Sequence, residues 1–252
     1  PAGTSAADSE IVHRLAAGVT AAKGGLAQGF AGPDTWSGLA QTVYQVVNAR
    51  PLKGHKDGVT TAHFSADGQH VLTSSADYTA RIWDARSGQE KQRFSGHAAG
   101  VNAAVYSSTG AQVATASADY TARIWNAQTG QSQAVLSGHT ASVNAVAFSS
   151  DGSSVITASA DVTARVWDAQ TGRLLQTLKG HSAGLNSAAF SDDGKLMATA
   201  SDDRTVRILD RKSGRPLRTL QGHEAAVNSV IFSTDSTQLL TASADGTAGV
   251  WD

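Results

Sequence analysis

The segment GHAAGVNAAVYSSTGAQVATASADYTARIWN, from Gly96-His97 to Trp125-Asn126, occurs in five related copies along the chain. Its opening Gly-His pair recurs every 42 residues, as from position 55 to position 97, with no insertion. The closing pairs keep the same step: Trp83-Asp84, Trp125-Asn126, Trp167-Asp168, Leu209-Asp210 and Trp251-Asp252. A strict period of this length predicts a protein built from stacked copies of one supersecondary unit.

Gly-His near the start of each copy and Trp-Asp at its end resemble the WD-repeat β-propeller family, and the resemblance covers residues 55–252. It implies an all-β fold, a β-propeller of four-stranded antiparallel blades with five repeats visible. The residues agree with this. In the second copy, short apolar runs at 101–106, 112–117, 121–125 and 132–136 are separated by turn residues, as in a four-stranded meander.

Residues 1–46 do not join the repeat and predict a short α-helical N-terminal segment. Apolar residues at helical spacing indicate two helices, one over 11–19 and one that starts at Trp36. The stretch from Trp36 to His55 resembles the segment before the propellers of bacterial signal-transduction ATPases with tandem domains. This resemblance implies that the chain is the sensor end of a larger signalling protein. The chain has no Gly-x-x-x-x-Gly-Lys-Ser/Thr phosphate loop, so we expect no ATP hydrolysis by it.

The propeller is expected to span 47–252, and its last copy stops at Trp251-Asp252 without a fourth strand. Leu52 stands two residues before Gly54, as Phe94 stands before Gly96, so the strand 47–52 is predicted to close the last blade. Five blades lie within the usual range of four to eight, although seven are common among WD repeats. A closed ring of five, a fragment of a larger ring and self-association of open pieces all remain open.

In a meander, the turn between the second and third strands and the connection between blades emerge at the same end. The histidine of each copy therefore approaches the aspartate of its turn, and the tryptophan indole needs a hydrogen-bond acceptor. The resemblance implies a structural tetrad of histidine, hydroxyl, aspartate and tryptophan. For the second copy the expected hydroxyl is Ser117, with Thr115 as the alternative. The tetrad residues are His55, Ser75, Asp77 and Trp83; His97, Ser117, Asp119 and Trp125; His139, Ser159, Asp161 and Trp167; His181, Ser201 and Asp203; and His223, Ser243, Asp245 and Trp251.

The fourth copy has Leu209 where the others have tryptophan, so its hydroxyl loses the indole donor. We expect this blade to be the weakest by about 1 kcal/mol, a typical net hydrogen-bond contribution. A Leu209→Trp substitution should then raise the melting temperature.

Composition excludes several functions. The net charge of −1 does not favour nucleic acid or an anionic membrane, and the lack of cysteine excludes disulfides and thiolate chemistry. We expect a cytoplasmic protein. We also expect that it is not an enzyme, because the acidic residues that do not belong to a repeated position are scattered and form no pair for acid–base catalysis. An enzyme would instead need an acidic cluster in the central channel. No cofactor or metal is expected either, since His63 and His70 have no third ligand nearby.

The positions that vary between copies lie at the end of the blades that carries the histidines and aspartates. The candidate protein-binding residues there are Lys56, Tyr78, Tyr120, Arg204 and Glu224. A rigid frame that presents changing side chains is typical of a docking platform. The sequence therefore predicts a non-catalytic scaffold that binds a protein or peptide on this face and acts as a sensor or regulatory propeller of a bacterial signalling protein. The alternative is a self-assembling partial propeller.

Overall fold

The computed structural model describes residues 51–252. Leu52–Asp252 forms one compact unit, and it contains all five Gly-His pairs. The helices predicted over 1–46 lie outside the described residues, as does most of the predicted closing strand 47–52. Its last residues, Pro51 and Leu52, are not part of a strand. Among the described residues there is no helix that could span a membrane.

The described residues form five consecutive antiparallel sheets, which we call blades 1 to 5. Blade 1 contains β1 (Val59–Phe64), β2 (His70–Ser75), β3 (Thr79–Asp84) and β4 (Glu90–Ser95). Blade 2 contains β5 (Val101–Tyr106), β6 (Gln112–Ser117), β7 (Ala122–Asn126) and β8 (Ser132–Leu136). Blade 3 contains β9 (Val143–Phe148), β10 (Ser154–Ser159), β11 (Ala164–Asp168) and β12 (Leu174–Leu178). Blade 4 contains β13 (Leu185–Phe190), β14 (Leu196–Ser201), β15 (Val206–Asp210) and β16 (Pro216–Leu220). Blade 5 contains β17 (Val227–Phe232), β18 (Leu239–Ser243) and β19 (Ala248–Trp251).

The turn chemistry of the repeat explains why each copy folds into a meander. In blade 2, Gly110 adopts a φ of 71° and donates its amide to Ser107 at 2.9 Å, which closes the turn between β5 and β6. Tyr120 also has a positive φ, of 71°, and donates its amide to Ser117 at 3.3 Å between β6 and β7. The predicted all-β fold of four-stranded antiparallel sheets is confirmed for blades 1 to 4.

The hydrophobic core lies between blades rather than within them. One cluster joins Leu72, Ile82 and Phe94 of blade 1 to Val113 and Trp125 of blade 2. Equivalent clusters join blade 2 to blade 3, blade 3 to blade 4, and blade 4 to blade 5. The first strands of successive blades also pack against one another, as β9 does against β13. Since a four-stranded sheet of this size cannot cover its own faces, each blade depends on its neighbours for burial.

Blade 5 contains three strands among the described residues, in the order β17-β18-β19. The outer edge of β19 therefore lacks the ladder partner that β4, β8, β12 and β16 give to the third strands of the other blades. The pairing of residues 47–52 with this edge stays a prediction.

Candidate functional site

A hydrogen-bonded network connects the indole of each tryptophan in residues 51–252 to a turn aspartate. In blade 3, Trp167 Nε1 donates to Thr157 Oγ1 at 2.9 Å, and this hydroxyl lies 2.8 Å from His139 Nε2. His139 Nδ1 lies 2.7 Å from Asp161 Oδ2. The tryptophan comes from β11, the threonine from β10, the histidine from the connection between blades and the aspartate from the turn after β10. Four separate segments are thus held together at one end of the blade.

The protonation states of the aspartate and the histidine decide which group donates each hydrogen bond in this network. Burial opposes the ionised form of Asp161, but hydrogen bonds from the Thr163 hydroxyl, the His139 ring and the Thr140 amide outweigh it and hold its pKa at about 2. Burial also lowers the pKa of His139, despite the opposing effect of Asp161, so the ring is neutral near pH 7. The ionised carboxylate accepts a hydrogen bond from Nδ1–H of the histidine, and Nε2 of the histidine accepts a hydrogen bond from the threonine hydroxyl. The threonine oxygen accepts the indole N–H.

The histidine, threonine and aspartate of this network recur in all five blades with little change in geometry. The histidine Nδ1 to aspartate distances lie between 2.7 and 2.9 Å, and the histidine Nε2 to threonine distances span the same range. The indole donates to threonine at 2.8 to 2.9 Å in blades 1, 2, 3 and 5. Such agreement over five different neighbourhoods indicates a structural brace for the loop end of each blade.

The expectation that serine supplies the bridging hydroxyl is wrong. The bridge is made by the threonine two residues earlier: Thr73, Thr115, Thr157, Thr199 and Thr241. The serines Ser75, Ser117, Ser159, Ser201 and Ser243 instead accept the amide of the turn aspartate and donate to a carbonyl of the preceding connection. The physical reason is register. Trp125 lies opposite Val113, so its indole reaches Thr115, whereas Ser117 is two residues further along the strand.

Blade 4 lacks the indole and compensates by packing. Leu209 lies opposite Met197, whereas the tryptophans of blades 1 to 3 lie opposite a valine. Met197 and Leu209 are both buried, and the longer methionine fills part of the space left by the smaller leucine. His181 still contacts Asp203 at 2.8 Å and Thr199 at 2.9 Å. The brace of blade 4 is therefore one donor short but otherwise intact.

The glycine of the Gly-His pair is required by close packing against the third strand. Gly138 has a φ of 143°, and a Cβ added there would lie 2.5 Å from Nη1 of Arg165. At Gly96 an added Cβ would approach Arg123 at 3.1 Å and Trp125 at 3.3 Å. The guanidinium of the third-strand arginine thus lies against the start of the connection, where glycine leaves room for it.

Each turn aspartate also fixes the backbone on both sides of the variable positions. In blade 1, Asp77 Oδ2 accepts the amide of Lys56 at 2.9 Å, while Asp77 Oδ1 accepts both the amide and the hydroxyl of Thr79 at 3.1 and 2.6 Å. Tyr78 lies between Asp77 and Thr79. The threonine that follows each variable residue recurs as Thr79, Thr121, Thr163, Thr205 and Thr247, and this recurrence is the signal in the sequence for its role in the turn.

The variable residue after each aspartate adopts a left-handed conformation. Tyr78, Tyr120, Val162 and Arg204 have φ values of 69 to 71°, and only blade 5 places a glycine, Gly246, at this position. A side chain in this region costs roughly 1–2 kcal/mol relative to the ordinary right-handed conformation. Four blades therefore keep a side chain where glycine would be unstrained, and backbone strain of this kind is frequent at functional sites.

We call the five predicted binding residues Lys56, Tyr78, Tyr120, Arg204 and Glu224 the variable rim. All five are exposed, and half of each tyrosine side chain is accessible to solvent. Lys56 and Tyr78 flank the same aspartate of blade 1. Tyr120 and Arg204 follow the turn aspartates of blades 2 and 4, as Tyr78 does in blade 1, and Glu224 follows the histidine of blade 5, as Lys56 does in blade 1. No hydrogen bond or ion pair joins these side chains among the described residues, so the rim is a set of separate side chains at the same end of blades 1, 2, 4 and 5.

The histidine, threonine and aspartate superficially resemble the triad of a hydrolase. Thr115 and Thr157 are fully buried, however, and each oxygen already accepts an indole proton. An acyl group therefore has no approach to the hydroxyl, in contrast to an exposed nucleophile. Within residues 51–252, no three histidine or acidic side chains are grouped so that they could hold a metal ion, and this includes the surroundings of His63 and His70.

Comparison with known proteins agrees with this geometry. The family described as "WD domain, G-beta repeat" matches residues 47–84, 88–126, 130–168, 172–210 and 214–252. Cross-pathway control WD-repeat protein 2 of Flammulina velutipes is 44% identical over 45 residues, which are 18% of this chain and 14% of that protein. The serine-threonine kinase receptor-associated protein of Dictyostelium discoideum is 41% identical over 39 residues, 16% of this chain and 13% of the relative. The matched segments thus span about one seventh of these curated relatives. With five matches that cover most of its length, the chain belongs to the WD40 repeat family.

Proposed function

We propose that this chain is a non-catalytic protein-interaction scaffold that binds a protein or peptide through the variable rim. The observation that carries the proposal is the anchoring of the rim backbone by the turn aspartates. Asp77 holds the residues on either side of Tyr78, and Asp119 holds Ala98 and Thr121 around Tyr120 in the same way. Side chains on a fixed backbone lose little conformational freedom on binding, which favours affinity.

The chemistry of the rim suits a protein partner. Tyrosine and arginine are enriched among the residues that contribute most to protein interfaces, and Tyr78, Tyr120 and Arg204 belong to these types. Lys56 and Glu224 add opposite charges, which would favour a polar partner surface without a strong net charge. One relative is named as a receptor-associated protein, and that name supports a protein partner for a chain of this family.

Two finer parts of the proposal rest on the sequence. The resemblance of the stretch from Trp36 to His55 supports a role as the sensor or regulatory propeller of a larger bacterial signalling protein. The cysteine-free composition favours the cytoplasm. A second candidate function, self-assembly as a partial propeller, is favoured by the exposed apolar faces of blades 1 and 5.

Peptide display on the purified chain tests rim binding. Peptides selected on the wild type should lose affinity at least 10-fold for Tyr78→Ala, Tyr120→Ala or Arg204→Ala, because removal of a dominant interface side chain typically costs about 2 kcal/mol or more and each 1.4 kcal/mol is about tenfold. Lys195→Ala is the matched control, since Lys195 is a well exposed cation in the turn between β13 and β14, at the opposite end of blade 4. Selected peptides that bind all three rim variants as tightly as the wild type would show that the rim is not the docking face.

A further inference from the structure

The contact between successive blades is the same interface made four times. At the first contact, Ile82 and Phe94 of blade 1 pack against Ala104 and Trp125 of blade 2, and the rings of Phe94 and Trp125 lie 5.7 Å apart. The same columns of residues form the other three contacts. Each blade thus has a leading face, which packs on the blade before it, and a trailing face, which receives the blade after it.

Blade 1 has an uncovered leading face on its first strand, β1. Val59 is 54% exposed, whereas its counterparts in the other blades, Val101, Val143, Leu185 and Val227, are at most 1% exposed. Phe64 is 70% exposed, against 7% for Phe190 in blade 4, and Ala62 between them is also exposed. Trp83 behind this strand is buried, so the uncovered part is the apolar ridge of β1.

Blade 5 has an uncovered trailing face on β18 and β19. Val250 is 67% exposed, whereas Ile124 and Val166 at the same position of blades 2 and 3 are buried. Leu240, Ala242 and Ala248 are exposed as well, although the same columns are fully buried in blades 2 and 3. Apolar residues grouped on one face in this way indicate an interaction surface.

A hydrogen bond between neighbouring blades follows the same pattern. The second residue of the first strand donates its side chain to a carbonyl at the start of the next first strand: Thr60 to Val101 at 2.6 Å, Asn102 to Val143 at 2.9 Å, Asn144 to Leu185 at 2.9 Å and Asn186 to Val227 at 3.2 Å. The fifth member of this series is Asn228, which is exposed and makes no such bond within residues 51–252. The acceptor that would continue the series is the carbonyl of Val59.

We propose that blade 1 of one copy of this chain packs on blade 5 of a second copy and repeats the internal blade contact between chains. Within residues 51–252, both halves of that contact are present and uncovered, one on the first blade and one on the last. Because the two faces differ, the association is head-to-tail, and it produces a closed ring or an open assembly rather than a contact of one face with its own copy. This inference deepens the second candidate function, and it involves no residue of the variable rim.

Light scattering after size exclusion tests the proposal over about 1 to 100 µM protein, a range that detects association of micromolar strength. The mass of the wild type should rise with concentration from 25.9 kDa to twice that value and beyond. Phe64→Asp, which disables the leading face, and Val250→Asp, which disables the trailing face, should each lower the association constant at least 100-fold. A 1:1 mixture of the two variants should give a species of twice 25.9 kDa that grows no further, because one intact face of each kind remains.

Leu217→Asp is the matched control, since Leu217 is 60% exposed but lies on the outer strand β16 of blade 4 and belongs to neither end face, and this variant should associate like the wild type. Asn228→Ala should weaken association about 3- to 10-fold, as expected for one neutral hydrogen bond. Far-UV circular dichroism verifies that each variant is folded, and Val59→Asp with Leu240→Asp provides a second pair. A monomeric wild type at every concentration, association that persists in both face variants, or a mixture that stays at 25.9 kDa would each overturn the proposal. Rim variants that lose peptide binding but keep the wild-type mass separate this inference from rim docking.

Discussion

Replacing the bridging threonine should cost more in blade 3 than in blade 4. Thr157→Val keeps the side-chain shape but leaves two buried groups without a partner, the indole N–H of Trp167 and Nε2 of His139. Each unsatisfied buried group costs about 1–3 kcal/mol, so the expected loss in the free energy of unfolding is about 2–6 kcal/mol. Thr199→Val in blade 4 leaves only Nε2 of His181, for an expected loss of about 1–3 kcal/mol.

The comparison is well matched, because Thr157 and Thr199 are equally buried and each lies in a blade with a neighbour on both sides. Urea denaturation followed by far-UV circular dichroism measures both losses. Thr157→Ser is the control that retains the hydroxyl. In a Trp167→Leu background, which copies blade 4, the cost of Thr157→Val should fall to that of Thr199→Val. Equal costs for the two valine variants in the wild-type background would refute the proposed role of the indole as the donor that completes the brace.

Three further predictions concern blade 4, the variable turn and pH. Leu209→Trp should raise the melting temperature most when combined with Met197→Val, which makes room for the ring; a double variant that melts below the single one would contradict this packing. Val162→Gly should stabilise the chain by about 0.5–1 kcal/mol, since relief of positive-φ strain exceeds the added freedom of the unfolded chain, and an unchanged urea midpoint would argue against strain. Burial lowers the pKa of three histidines, which are His97, His139 and His181. The unfolded chain then binds protons first as the pH falls below about 6.5, so the urea midpoint should drop between pH 7.5 and 5.5; a midpoint that stays constant or rises would show that these rings are not held neutral.

Most of the blade architecture could be predicted from the sequence, because the period, the turn residues and the apolar alternation agree with one another. The strand positions predicted for the second copy differ from β5 to β8 by one residue at most at each end. The predicted histidine, aspartate and tryptophan lie together in the brace, whereas the hydroxyl between them belongs to the threonine and not to the predicted serine. Counting back from the turn, in which Ser117 donates its amide to Thr121, would have placed Trp125 opposite Val113 and Thr115 within its reach.

Other features could not be read from a single copy of the repeat. The compensation between Met197 and Leu209 depends on which residues oppose each other across strands, and only the register shows it. The left-handed conformation of Val162 is not expected from its type, because β-branched residues rarely adopt it. The ridge of β1 is uncovered because no blade packs on it within residues 51–252. The sequence of one repeat cannot show this, since the repeats that are covered on both sides have the same pattern.

The placement of the core between blades has a consequence for how such a gene changes length. Since the contacts between blades use the same columns of residues, we expect that loss or duplication of one whole 42-residue unit, the spacing from His55 to His97, removes or adds one interface and leaves the others in register. Unequal recombination between nearly identical repeats would therefore yield chains of different blade number that still fold. The packing between two blades therefore does not by itself fix the number of blades.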